Sequence, residues 1–311
     1  MTLQGKSVAY LYIPTGSGFN EVEILLQRDK FLKNASSFEW VAYRKHYENK
    51  VRPGRYRIRN GMSNNELINL LRSGKQEPVR VTFQNIRNRE DLAGKISQQI
   101  EADSLSLLKL LRDAGYLKQY GVDSLNSFVL FIPNTYEFYW NTTADQFIRR
   151  MSREKSKFWN DARKNKCRIA GFSIPQAVIL ASIVERETAK DKEKPVIAGV
   201  YINRLKKGWP LQADPTIIFA WNDYTIKRIQ NKHLKINSLY NTYSHKGLPP
   251  GPICLPSIAS LEAVLNYDQH HYMFFCAKDD LSGYHVFTSN LAAHNRNAKK
   301  YQAAIKKLNI R

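Results

Sequence analysis

The alternation of apolar and polar positions predicts a mixed chain in which short strands precede amphipathic helices. The segment SVAYLYIPTGSGFNEVEILLQRD predicts a strand, a glycine-containing turn and a helix. The segment RPGRYRIRNGMSNNELINLLRSG repeats this order, with its strand running through Tyr56 and Ile58. Its helix begins at a capping box formed by Ser63 and Glu66 and ends at Gly74. These patterns predict an α+β fold.

The middle and the end of the chain continue this mixture. From Asp91 to about Tyr120, apolar residues recur at helical spacing. SFVLFIPNTYEFYW then predicts a strand interrupted by a Pro-Asn turn, and TTADQFIRRMSREKSKFWNDARKN predicts a charged amphipathic helix. Towards the end, YMFFCAKDDLSGYHVFTSN predicts a β-hairpin and LAAHNRNAKKYQAAIKKL predicts a closing helix.

The helix predicted over 173–188 differs from the others because it is apolar on every side. Ser173 and Gln176 form a second capping box around Pro175, a residue that suits the first turn of a helix. Apolar side chains then continue to Val184, so the helix must be buried. We therefore expect a larger mixed domain built around this central helix.

The charge balance indicates anionic surroundings for this chain. It has 48 Lys and Arg residues against 27 Asp and Glu, a formal net charge of +21. Nucleic acid, phospholipid and bacterial cell wall all carry negative charge. The basic residues are scattered and form no groove-binding element, so no nucleic-acid partner is predicted.

Cysteine content and hydropathy favour neither a metal site nor a membrane span. Cys167, Cys254 and Cys276 lie far apart, without a CxxC pair or the spacing of metal ligands, so buried or idle thiols are expected. No apolar run approaches the ~20 residues that a membrane helix needs, and no signal peptide is recognisable. The chain as given is therefore expected to be soluble.

Two carboxylates, Glu185 and Glu187, end the buried helix. Side chains two residues apart lie roughly 200° apart around a helix, so only one of them can face a given cleft. Glu185 directly follows the apolar helix body, where burial would raise its pKa and suit it to donate a proton near neutral pH. In the alternative interpretation, both glutamates mark where the helix reaches the surface and pair with Arg186 and Lys190.

Long motifs follow one another over most of the chain: PGRYRIRNGMS, IPNTYEFYWNTTADQF, LASIVERETA, GVYINRLKKGWPLQADPTIIFA, YNTYSHKGLPPGPICLPSIASLEAVLN and GYHVFTSNLAAHN. In this order they resemble the MltG-type (YceG-like) endolytic murein transglycosylases. The resemblance implies a bacterial enzyme that cleaves nascent glycan strands between MurNAc and GlcNAc, leaves anhydroMurNAc ends and so terminates strand elongation. It implies Glu185 as the catalytic residue, no cofactor, and penicillin-binding proteins and other cell-wall synthases as partners beside the peptidoglycan glycan strands.

The resemblance also implies a small LysM-like module over 1–76 beside a larger catalytic YceG-like domain over 77–311. In the LysM-like part, Tyr56, Asn60 and Met62 could meet sugar, although positions in the core are favoured for them. Family members usually carry an N-terminal transmembrane helix, and this chain begins where the extracytoplasmic part would start. We therefore expect a single-pass protein of the bacterial inner membrane whose helix is missing from this chain and whose remaining portion lies in the periplasm.

A lytic transglycosylase can work with one carboxyl, whereas ordinary glycosidases use two. That carboxyl protonates the glycosidic oxygen and then removes a proton from the sugar's own exocyclic hydroxyl as this oxygen closes on the anomeric carbon. Neutral donors and aromatic faces would hold the substrate. Asp214 and Asn290 are equally compatible with helix caps, and His294 with an ordinary surface histidine. The candidate substrate-binding residues are Gln212, Asp214, Thr216, Asn241, Tyr243, Asn290 and His294.

Two other functions remain open at this point. A non-catalytic peptidoglycan-binding scaffold would be favoured if Glu185 lay away from any cleft or were locked in an ion pair with Arg186. A hydrolytic muramidase would admit water and leave reducing ends instead of anhydro ends. The chemical nature of the cleaved ends distinguishes these possibilities.

Overall fold

A computed structural model describes residues 7–307, and the chain falls into two compact units. Unit 1 comprises the residues up to 83 together with 90–110 and 134–147. Unit 2 comprises 84–89, 111–133 and the residues from 148 onward. The boundary predicted after residue 76 falls within unit 1. The division into a LysM-like module and a catalytic domain stays a prediction.

Most of the regular structure in the described residues is helical. The strands there form three antiparallel pairs, β1 with β2, β3 with β4 and β5 with β6. This composition is that of an α+β fold, as predicted. The elements in chain order are β1 Val8–Ile13, α1 Phe19–Arg28, α2 Ala35–Arg44, β2 Gly54–Arg59, α3 Asn64–Ser73, β3 Val79–Thr82, α4 Arg89–Ser97, α5 Ser104–Arg112, α6 Ala114–Lys118, β4 Thr135–Phe138, α7 Ala144–Phe158, α8 Asp161–Ile169, α9 Ile174–Glu187, α10 Lys194–Lys206, α11 Asp214–Trp221, α12 Ile258–Leu265, β5 Phe274–Ala277, β6 His285–Thr288 and α13 Leu291–Lys307.

The core of unit 1 forms between the β1–β2 pair and the helices α1, α2 and α3. The two strands are antiparallel, and Leu11 lies opposite Tyr56. Alternate strand positions face the core, which is the period-two pattern of a half-buried strand. Tyr56 and Met62 belong to this core, as predicted, whereas Asn60 is exposed. The largest fully buried side chains here are Leu11, Ile13, Leu26, Phe38, Tyr47, Tyr56 and Ile58.

Both predicted capping boxes are present in the structure. Ser63 and Glu66 form one at the start of α3, and Ser173 and Gln176 form the other at the start of α9. Helix α3 ends at Gly74, whose φ of 67° lies in the left-handed region that favours glycine. Local sequence signals therefore predicted these three helix ends correctly.

The strand predicted over SFVLFIPNTYEFYW is wrong in its first half. Ser127–Leu130 forms a 3-10 turn, and β4 begins only at Thr135. Residues 127–133 are all buried. A continuous buried apolar run has no periodicity that would separate a strand from a helical turn, so the sequence pattern could not decide between them.

Helix α9 is the buried central helix of unit 2, as predicted. Its residues 177–184 are all buried, and α8, α10, α11 and α12 pack against it. By length and composition α8 and α9 together could make a membrane span, but they meet at a bend of 78°. No single helix among residues 7–307 is long and apolar enough to cross a membrane.

Strands β5 and β6 form the predicted hairpin, in which Phe275 lies opposite Phe287. Helix α13 packs against both strands of this hairpin. Lys194 and Tyr201 of α10 contact the end of α9 in unit 2, and Phe275 of the hairpin packs edge-on against Tyr201.

Candidate active site

The last turn of α9 places Glu185 and Glu187 in two different environments. The described hydrogen bonds to Glu185 come from Lys194, Ser257 and Ser260, whereas Glu187 accepts one from Tyr201. The two carboxyls share none of these donors. This separation agrees with the angle of roughly 200° that helix geometry places between them. That only one of them faces a cleft stays a prediction.

The side chain of Glu185 contacts the beginnings of two neighbouring helices, α10 and α12. Its Oε2 accepts hydrogen bonds from the Ser257 hydroxyl at 2.5 Å, from the Ser257 backbone N–H at 3.3 Å, and from the Ser260 hydroxyl. Ser257 is the N-cap of α12. The Nζ of Lys194, the first residue of α10, lies 3.2 Å from the same oxygen and 2.8 Å from Asp191. Glu185 thus ties the end of α9 to the beginnings of α10 and α12.

The expectation that Glu185 has a raised pKa is wrong. Burial does raise the pKa of this carboxyl, but the hydrogen bonds from Ser257 and Ser260 and the charge of Lys194 together lower it more. The net result is a pKa below the ordinary value of 4.5. This direction is opposite to the one expected for a proton donor at neutral pH.

Glu187 has the opposite electrostatic character. Burial raises its pKa to about 7, and the nearby carboxylate of Asp214 adds to this rise. The hydrogen bond from the Tyr201 hydroxyl and the positive charge of Arg204 act in the other direction. A carboxyl with a pKa about 7 is suited to give up and take back a proton at neutral pH.

Helix α10 supplies Tyr201 and Arg204, which are three residues apart and so lie on one side of the helix. The buried guanidinium of Arg204 donates from Nε to the carbonyl of Met273 at 2.8 Å, and from Nη1 to the carbonyl of Leu211. Arg204 therefore holds the segment before α11 and the start of the hairpin against α10. It also places a permanent positive charge beside Glu187.

Asp214 and Tyr243, two of the candidate substrate-binding residues, are in direct contact. The hydroxyl of Tyr243 donates a hydrogen bond to Oδ1 of Asp214. Burial, this hydrogen bond and the charges of Asp214 and Glu187 raise the pKa of Tyr243. Asp214 is the first residue of α11 and its side chain is not the N-cap, because that position belongs to Ala213.

Gln212, Thr216 and Asn241 shape the backbone around that pair. Gln212 has a left-handed φ of 50°, and its backbone N–H donates to the carbonyl of Thr242 at 3.0 Å. Thr216 is fully buried and lies 2.9 Å from the Thr242 hydroxyl. Asn241 is also buried and accepts from the backbone N–H of Tyr243 at 3.1 Å. Only Gln212 of these three has an exposed side chain.

Asn290 and His294 lie at the start of α13. The side chain of Asn290 accepts from the backbone N–H of Ala293 at 2.9 Å, so the capping role considered from the sequence is present. His294 stacks on Phe274 with a centroid separation of 5.4 Å. Burial, and secondarily the charge of Arg204, lower the pKa of His294, so its imidazole is neutral at neutral pH.

The comparisons with known proteins place this arrangement in a family. Residues 11–300 match the model of the YceG-like family.

The chain belongs to the YceG-like family. It is 28% identical over 316 residues to an endolytic murein transglycosylase of Bacillus subtilis, covering 95% of this chain and 85% of the relative. It is 26% identical to an endolytic murein transglycosylase of Streptococcus pneumoniae and spans 59% of that protein's length. A YceG-like protein of Listeria monocytogenes, solved at 2.6 Å, matches 94% of this chain and 99% of its own, with 25% identity and a TM-score of 0.61.

Several residues of this YceG-like site were missed by the sequence reasoning. Tyr201 and Arg204 had a detectable signal, because a Tyr and an Arg three residues apart in the apolar segment VIAGVYINRLKKG indicate a polar contact inside the protein. Lys194, Ser257 and Ser260 had none, since nothing in their local sequence points to Glu185. Among residues 7–307, no three His, Cys, Asp or Glu side chains come together as metal ligands would.

Proposed function

We propose that this YceG-like chain is an endolytic murein transglycosylase that cleaves nascent peptidoglycan strands between MurNAc and GlcNAc and leaves anhydroMurNAc ends. The observation that carries the proposal is the environment of Glu187, a carboxyl with a pKa about 7 that is oriented by Tyr201. The names of the Bacillus and Streptococcus relatives support the same activity.

The reaction uses Glu187 first as an acid and then as a base. Protonated Glu187 gives its proton to the glycosidic oxygen as the bond from that oxygen to the anomeric carbon of MurNAc breaks. The resulting carboxylate takes the proton of the C6 hydroxyl of the same MurNAc while O6 bonds to the anomeric carbon. GlcNAc leaves with a free hydroxyl, Glu187 is protonated again, and no water is consumed.

Asp214 is the second carboxylate of this site, and its role follows from its hydrogen bond with Tyr243. Because it already accepts the hydrogen bond of Tyr243, we assign it to keeping the pKa of Glu187 high and to holding substrate. Gln212, with its exposed side chain, and His294, with its stacked neutral ring, are proposed to contact sugar. Thr216 and Asn241 support the backbone of the site from inside, and Asn290 caps α13.

The sequence analysis predicted Glu185 as the acid, and Glu185 stays the second candidate for that role. Its lowered pKa and its set of donors on Oε2 argue against that role at neutral pH. It pairs with Lys194, and the ion pair with Arg186 that would favour a scaffold is absent among the described residues. We propose instead that Glu185 positions the end of α9, and with it Glu187.

The decisive experiment is digestion of purified peptidoglycan by the wild-type protein, with mass spectrometry of the new strand ends. AnhydroMurNAc ends are expected. Reducing MurNAc ends would mean that water enters and that the chain is a muramidase. Binding without cleavage would favour the non-catalytic scaffold.

The finer features implied by the family resemblance are proposals as well. We propose that residues 1–76 act as a LysM-like wall-binding module, supported by the self-contained core of β1, β2 and α1 to α3. We also propose a single-pass inner-membrane protein that faces the periplasm, works beside penicillin-binding proteins and other cell-wall synthases, and terminates strand elongation. Fractionation of the bacterial envelope and crosslinking in cells test the placement and the partners.

A further inference from the structure

Three aromatic rings form a cluster beside the candidate site. Phe274, in β5, stacks on His294 of α13 with 5.4 Å between centroids and 27° between planes. Trp209 approaches the same Phe274 edge-on, with a centroid separation of 6.0 Å. The three rings come from the segment after α10, from the hairpin and from the last helix, so the fold and not a local motif assembles them.

Trp209 is the exposed member of this cluster. Its side chain is 44% exposed, and its indole N–H has no hydrogen-bond partner among the described residues. Trp221 provides a comparison, since it is also 44% exposed. In Trp221, however, the indole N–H donates to the carbonyl of His233 at 3.0 Å. A buried or half-buried Trp usually pairs its indole N–H. Trp209 departs from this rule and keeps both an exposed ring and an unused hydrogen-bond donor.

The cluster is attached to the side chains around Glu187 through Arg204. The guanidinium carbon of Arg204 lies 5.8 Å from the Phe274 centroid and 6.0 Å from the Tyr201 centroid. Trp209 is fixed to the same helix, because its backbone N–H donates to the carbonyl of Arg204 at 2.9 Å. The next residue, Pro210, forms a β-bridge with Lys246, in the loop that follows Tyr243. Trp209 therefore borders the segment that leads to Asp214.

We propose that Trp209, Phe274 and His294 form a saccharide-stacking subsite that takes one pyranose ring of the glycan strand next to the residue cleaved at Glu187. This inference rests on the proposed function. The faces of pyranose rings carry C–H groups that pack on aromatic rings, whose faces are electron-rich. The free indole N–H of Trp209 donates to a sugar hydroxyl or to an N-acetyl carbonyl. The subsite needs no charge, which suits a neutral glycan backbone.

The test measures affinity in a background that cannot cleave. Trp209→Ala, Trp209→Phe and Trp221→Ala are each combined with Glu187→Gln, and the Kd for purified, uncrosslinked glycan strands is determined by calorimetry. We expect Trp209→Ala to weaken binding about three- to tenfold, the size of one aromatic stacking contact. Trp209→Phe should lose less, and Trp221→Ala should change the Kd by less than about twofold because its ring is engaged elsewhere.

A spectroscopic measurement keeps the proposal testable if Trp209→Ala does not fold. Binding of the strands should change the intrinsic tryptophan fluorescence of the Trp221→Ala protein more than that of the Trp209→Phe protein, in which exposed Trp40 of the proposed wall-binding module still contributes. Equal Kd values for all variants, together with anhydro products from the wild type, would overturn the subsite and leave the proposed function intact. Absence of both binding and cleavage in the wild type would overturn both.

Discussion

The hydroxyl of Tyr201 donates a hydrogen bond to Oε1 of Glu187, so a residue of α10 orients the carboxyl at the end of α9. Burial and the neighbouring Glu187 raise the pKa of Tyr201 well above its ordinary value, so the phenol stays protonated and remains a donor. Oε1 of Glu187 is thus engaged by a donor of the protein itself, which fixes the orientation of the carboxyl.

Replacing the two glutamates separately should give unequal losses of activity. Glu187→Gln keeps the size of the side chain and can still accept from Tyr201, but it has no acidic proton. Cleavage should fall by about 10²–10⁴-fold or more, since the same group also acts as base. Glu185→Gln can still accept from Ser257 and Ser260 and so hold the end of α9, and it should retain most of the activity of the folded protein. Strand ends are counted by mass spectrometry, and the reverse order at equal thermal stability would support the assignment from the sequence.

The pH dependence of kcat/KM should identify the acid independently. Glu187 must be protonated to act, and its pKa is about 7, so the rate should fall about tenfold per pH unit above that value. If Glu185 were the acid, its lowered pKa would place the fall below pH 4.5, and neutral solutions would show little activity. A descending limb near pH 7 that persists in Glu185→Gln supports Glu187.

Glu187 should lower the stability of the protein in alkaline solution. A carboxyl with a raised pKa in the folded protein favours folding only in its protonated form. This contribution is fully present below the unfolded pKa of 4.5 and is lost as pH rises through about 7. At pH 8, Glu187→Gln should therefore raise the free energy of unfolding by about 3 kcal/mol, the equivalent of the pKa shift. At pH 4 the two proteins should be nearly equal. Urea unfolding at both pH values measures the difference, and an equal effect at both would rule out the raised pKa.

Removing the cation beside Glu185 should be costly. Lys194 is buried, and Lys194→Met would leave the carboxylate of Glu185 without its charge partner. We expect a loss of about 3 kcal/mol in the free energy of unfolding at pH 7, as is usual when one member of a buried pair is removed. The matched control is Lys164→Met, because Lys164 pairs with Asp161 on the surface. Its loss should stay below about 0.5 kcal/mol.

Two buried tyrosines in unit 1 should respond differently to the loss of a hydroxyl. Tyr47 and Tyr56 are both fully buried in one core. The hydroxyl of Tyr56 donates to the carbonyl of Arg52 at 2.9 Å, whereas that of Tyr47 has no partner among the described residues. Tyr56→Phe should cost about 1 kcal/mol and Tyr47→Phe should be neutral or stabilising. Thermal unfolding of both variants checks this, and equal losses would contradict it.

Local sequence signals predicted much of the fold. The capping boxes at Ser63 and Ser173 and the stop at Gly74 act within a few residues of the chain, and all three are present. The burial of α9 followed from its lack of any polar face. The strand expected at 127–130 was wrong because a run buried on all sides carries no period.

The candidate site was harder to predict because its electrostatics come from distant residues. Helix geometry correctly separated Glu185 from Glu187, but the chain near them does not reveal which carboxyl meets a lysine. Ser257 and Ser260 reach Glu185 from more than 70 positions away along the chain. The pKa of each glutamate therefore depends on packing that no local pattern records.

The contrast between the two carboxyls also has a spectroscopic consequence. A protonated carboxyl and a carboxylate absorb infrared light at different frequencies, so a change of protonation is visible without any mutation. Glu187, with a pKa about 7, should change between the two forms near neutral pH, whereas Glu185, with its lowered pKa, should not. The infrared difference between mildly acidic and mildly alkaline solution should therefore report on Glu187.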